Sequence, residues 1–202
     1  MARGSPSGRS ARRRSASVKP ERLARECVRI AWDRGIGDDG HPAGERHGDR
    51  IYEPTTKAPK FDPFSLDVNW KALESDLMAR ILDLHGELAH LKHQVAGMVD
   101  NDPFPYDGAY FPHRRLWSAE FAERVVCISR DVRESLGIKL VHPTRFADLQ
   151  DDCVEALDAA RQEKERYEER RAEQHQKVMA VQEAIEAEEA RKKAAKQAPT
   201  DA

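Results

Sequence analysis

The sequence predicts an all-α protein: a small helical bundle or hairpin with a coiled-coil-like seam, a long C-terminal helix and a disordered basic N-terminal arm. Three observations carry that prediction. Apolar residues recur at heptad spacing between Leu77 and Met98. Residues 145 to 195 contain neither glycine nor proline. The first 20 residues hold six basic side chains and no acid. Subtracting those six from the net charge of −2 leaves −8 on the remaining residues.

The arm comes first, at residues 1–19. Arg3, Arg9, Arg12, Arg13, Arg14 and Lys19 are set among Ser, Gly and Ala, with no large apolar residue between Met1 and Val18. Such a stretch cannot bury enough surface to fold. Three readings compete for it: a plain solvated tail, an arm that binds RNA or DNA through phosphate charge, and a targeting segment for organelle import or localisation.

A short helix follows over 20–35. Pro20 suits a first helical position, Leu23, Cys27, Ile30 and Ala31 form one stripe, and Gly35 ends it. Residues 36–60 are rich in Gly, Asp and His and read as a loop. Asp38, Asp39, His41 and His47 in it match no metal-loop spacing.

The helical core is expected over 61–143. Its first helix spans about 67–99, with Phe61 and Phe64 stapled over its first turn. Leu77, Ile81, Leu84, Leu88, Leu91, Val95 and Met98 step by 4, 3, 4, 3, 4, 3. Placing branched residues at a and Leu at d favours two parallel strands. Three heptads also fit a seam inside one folded hairpin. The second helix is expected over 119–136, capped by Ser118, with Trp117, Phe121, Val125, Ile128, Val132 and Leu136 on one face and Gly137 closing it.

Between them lies "DPFPYDGAYFPHRRLW". Its prolines predict an extended connector. Its aromatic content predicts that it plugs the end of the helix pair, or contacts a partner through Phe104, Tyr106, Tyr110 and Phe111. The neighbouring acids Asp100, Asp102 and Asp107 disfavour a base-stacking platform beside His113, Arg114 and Arg115.

The last helix is expected over 144–195, capped by Thr144, with a tail at 196–202. Phe146, Leu149, Cys153, Leu157 and Ala160 should pack on the core. The charged middle should stand in water, held by helical-spacing ion pairs. Val178, Val181 and Ile185 then renew the apolar seam and call for a partner, most simply a second copy.

Charged residues make up 35% of the chain, against about a quarter for a compact globule. The three cysteines, Cys27, Cys127 and Cys153, are far apart and read as buried thiols of a reducing compartment, the cytoplasm or a virion. No apolar run is long enough to span a membrane, and no membrane partner is expected.

Catalytic patterns are missing. The sequence has no G-x-S-x-G, no phosphate loop, no G-x-G-x-x-G and no H-E-x-x-H. Glu87 and His90 have the E-x-x-H spacing of di-iron bundles, but no second such pair stands on the other long helices. His90 and His93 fall opposite the Leu seam with Gly86 and Gly97, so they should face water. No catalytic residue, metal or cofactor is expected. The expected function is a non-enzymatic assembly protein, joining itself or a helical partner through amphipathic helices. The alternative is a coat- or nucleocapsid-type packaging protein, viral or phage in character, whose arm binds nucleic acid. A helical metal-dependent enzyme around Glu87 and His90 is the outlying alternative.

Overall fold

A computed structural model describes residues 20–35, 44–46, 49–65, 70–101, 109–138 and 143–197. The basic arm, Phe104, Tyr106, the candidate loop ligands Asp38, Asp39, His41 and His47, and the last five residues lie outside them.

The fold is all-α. Helix α1 covers 20–31, α2 Ser75–Asn101, α3 Tyr110–Leu136 and α4 Pro143–Gln197. Within the 36–60 segment the structure adds an antiparallel two-stranded ribbon, β1 Gly44–Arg46 paired with β2 Asp49–Ile51. Single 3-10 turns at Pro63–Ser65 and Trp70–Ala72 lead into α2. No helix among the described residues is long and apolar enough to cross a membrane.

The chain divides into two units, residues 1–164 and 165–202. In the first, α3 is the central helix. Buried residues occur on most of its circumference, from Tyr110 and Phe111 through Val125 and Val126 to Val132. Ion pairs fix its neighbours' directions. Arg80–Asp131 at 2.8 Å and Glu87–Arg124 at 2.9 Å set α2 antiparallel to it. Glu21–Arg133 at one end and the Arg115 bond to the Ala31 carbonyl at the other do the same for α1. Arg133 stacked 5.0 Å from the Phe146 ring centre, with Arg115–Glu163, orients the start of α4 likewise.

The heptad residues of α2 are spent inside this body. Leu77, Ile81, Leu84, Leu88 and Leu91 are buried in the common core, and Val95 packs partly against it. Met98 is half-buried. The seam is thus intramolecular, which corrects its reading as an oligomer or partner surface. The physical reason is supply: Phe121, Val125, Ile128 and Val132 of α3 already offer an apolar face for it to pack against.

The largest boundary differences from the sequence expectation are the starts of α2 and α3. Helix α2 starts at Ser75, later than 67, because Trp70–Ala72 closes a 3-10 turn first, with Leu73 N–H donating to the Trp70 carbonyl. Helix α3 starts at Tyr110, eight residues before Ser118. Pro112 does not prevent this. It lies in the first turn, where its missing N–H would have had no helical partner. At the other end Gly137, at φ 61°, closes α3 in a Schellman arrangement: Ile138 N–H bonds the Arg133 carbonyl and Gly137 N–H the Glu134 carbonyl. Helix α4 opens on Pro143 itself, one residue before Thr144. Its Phe146, Leu149, Cys153, Ala156, Leu157 and Ala160 are buried.

The described residues of the second unit are the later part of α4. From Glu168 to Lys192 every side chain is exposed. Lys192–Glu188 at 2.6 Å is a helical-spacing ion pair of the expected kind.

Candidate functional site

Four features could bear function: a buried polar node, two surface grooves and the apolar stripe of α4. The node forms where α1 ends. Asp33 follows the last turn, and its side chain is 0% exposed. Its Oδ1 accepts from Gly35 N–H at 3.0 Å and the Thr55 hydroxyl at 3.0 Å. Its Oδ2 accepts from Thr56 N–H at 2.9 Å, the Thr56 hydroxyl at 2.6 Å and Arg114 at 2.9 Å. Arg114, 6% exposed, also donates to the Thr56 carbonyl at 2.8 Å. Burial alone would raise the Asp33 carboxyl. The Thr56 hydroxyl, the two backbone N–H groups and Arg114 outweigh it and hold it well below the usual carboxylate range.

Gly35 is required beside it. It sits at φ +69°, and a Cβ there would stand 2.5 Å from the Phe111 ring. Arg115 lies next to the node, donating to the Ala31 carbonyl at 2.6 Å and pairing with Glu163. Burial pulls its guanidinium down to about 10. Every Asp33 oxygen is already occupied by this chain. The node therefore fastens α1, the 52–59 segment and α3 to one another, and holds no group free for reaction.

Sequence reasoning set Arg114 and Arg115 in the connector beside His113 and missed their burial. The signal was present: Phe111, Arg114, Arg115, Ser118, Phe121 and Ala122 continue one helical stripe, and all are buried. Tyr110 and Phe111 are likewise buried, ring against ring at 5.2 Å. That corrects their candidacy as partner contacts.

The larger groove, about 690 Å³, runs between α1 and residues 55–62. Leu23 and Phe61 floor it, and Arg22, Arg29, Lys57 and Lys60 lie along it. Arg22 is paired to Glu26 at 2.9 Å. The second, about 390 Å³, lies between α2 and α3, lined by Gly86, His90, Leu91, Trp117 and Phe121. It contains the E-x-x-H pair. Glu87 is held by Arg124, and His90 and His93 are exposed. His85 turns away to the Phe61 carbonyl at 2.9 Å. Among the described residues no three His, Cys, Asp or Glu side chains gather as metal ligands. Cys27 and Cys153 are buried and Cys127 partly so, all as free thiols.

The fourth feature is on α4. Val178, Val181 and Ile185 are 61%, 60% and 54% exposed. They follow each other by three and four residues and so share one side of the helix. Among known proteins the chain matches no family model, no curated protein and no solved structure.

Proposed function

We propose that this chain is a non-enzymatic assembly protein, built as a closed helical body that carries an association helix at its C-terminal end. One observation supports the reading above the others: three branched apolar side chains at heptad spacing, more than half exposed, on a helix otherwise covered in charge. Single exposed apolar residues are ordinary. A spaced stripe of them on a helical stretch whose side chains are all exposed is the signature of a helix that pairs. The seam of α2 cannot serve this purpose, because the chain's own core covers it.

The test is the mass of the intact chain by light scattering behind size-exclusion chromatography, with absorbance read at 260 and 280 nm. The reading expects a multiple of 22.9 kDa. A monomer at all concentrations would defeat it as a self-assembling protein. The packaging alternative rests on the charge split at residue 20 and expects excess 260 nm absorbance in the same peak, lost as salt is raised.

A further inference from the structure

Resting on that reading, we infer that the α4 stripe pairs with a second copy of this chain, and that the two helices run antiparallel. The charges around the stripe choose the direction. Continuing the heptad from Val178, Val181 and Ile185 places Tyr167, Arg171 and Gln174 on the same side before it, and Glu188 and Lys192 after it. Arg171, Gln174, Glu188 and Lys192 are all exposed.

In a parallel, in-register pair each of these residues faces its own copy. Arg171 meets Arg171, Glu188 meets Glu188 and Lys192 meets Lys192 at the seam itself. Like charges directly opposed in a seam are a strong penalty.

An antiparallel pair with its two-fold axis between Met179 and Ala180 reverses this. Val178 then meets Val181 of the other copy, and Ile185 meets the stem of Gln174. Arg171 meets Glu188, an opposite-charge layer that the axis produces twice. Lys192 meets Tyr167, where an ammonium can lie over the ring. Glu188 already pairs with Lys192 in its own chain, so Arg171 completes a three-membered charge cluster. The like-charge contacts that remain, Arg170 with Arg191 and Glu168 with Glu189, sit on the solvent flanks, where screening is strongest. Moving the axis by half a heptad sets Val178 against Glu188 or Val181 against Arg171, so this register is the one that buries all three apolar residues.

Charge exchange in the full-length protein tests the direction. Arg171→Glu replaces both Arg–Glu layers by Glu–Glu and should weaken self-association by about tenfold or more. Glu188→Arg should do the same. The double variant R171E/E188R restores both layers with their signs swapped and should recover the native mass and dissociation constant. A parallel pair responds differently: each single change swaps one like-charge layer for another, and the double change rescues nothing. Sedimentation equilibrium of the four proteins gives the constants. Weakened singles with a rescued double support the antiparallel pair. Singles that associate like the native chain, or a double no better than the singles, overturn it while leaving self-assembly standing. A native chain that is monomeric overturns the underlying reading as well.

Discussion

Replacing Asp33 with Ala should be among the most damaging single changes in the body. It removes a fully buried carboxylate that takes five hydrogen bonds, and leaves the Arg114 guanidinium, 6% exposed, without its counter-charge. Breaking one side of a buried ion pair costs about 3–5 kcal/mol, because the abandoned charge keeps its desolvation penalty. For a domain of this size that is a fall in melting temperature of about 6–20 °C. Urea unfolding followed by tryptophan fluorescence is the suitable assay. Trp32, Trp70 and Trp117 all lie in the first unit, whereas circular dichroism also reports the part of α4 that belongs to the second. The urea midpoint should fall by at least about 1 M. Removing Arg114 as well should cost less than the two single losses added together, since each loss contains the stranding of the other. Acid adds a second signature. The Asp33 carboxyl is held below its unfolded value of about 3.9, so its contribution is complete above that pH and fades as the pH falls through the folded value. The Asp33→Asn protein should lack that part of the acid-side slope. A loss below about 1 kcal/mol for Asp33→Ala, or fully additive single changes, would refute the description of a closed node.

Two further expectations follow from the packing. Leu84→Ala should cost about 2–5 kcal/mol by urea titration, because Leu84 is fully enclosed by the body rather than waiting for a partner; a change that alters only the oligomer mass would restore the seam as an interface. A thiol reagent at pH 8 should label Cys127 first. Cys27 and Cys153 are buried, and burial pushes both thiols up to about 12, so they should react only when urea opens the body; three equal fast equivalents would contradict their placement.

Much of the fold is legible in the sequence because its signals are local. The Leu77–Leu91 spacing, Pro20, Gly137 and the stretch free of Gly and Pro mark helices through their own period and ends. What escapes is set by contacts between distant residues. Asp33 meets Thr55, Thr56 and Arg114 across 22, 23 and 81 positions, and no local pattern announces that meeting. The first two turns of α3 are hidden for another reason. Pro112 and the crowded aromatics imitate a connector, although a proline in a first turn breaks no helical hydrogen bond. The α2 seam shows the limit of periodicity: a heptad identifies a face that must be covered, and only the rest of the fold tells whether the cover is α3 or another molecule.

If assembly resides in the α4 stripe, as proposed, the body is complete without it. Light scattering on a full-length chain with Val178, Val181 and Ile185 all replaced by Gln tests both halves, when paired with the tryptophan-monitored urea midpoint. The native assembly should fall to 22.9 kDa, with the midpoint unmoved once corrected for mass action. A variant that keeps the native mass, or a body that unfolds with the change, would contradict it.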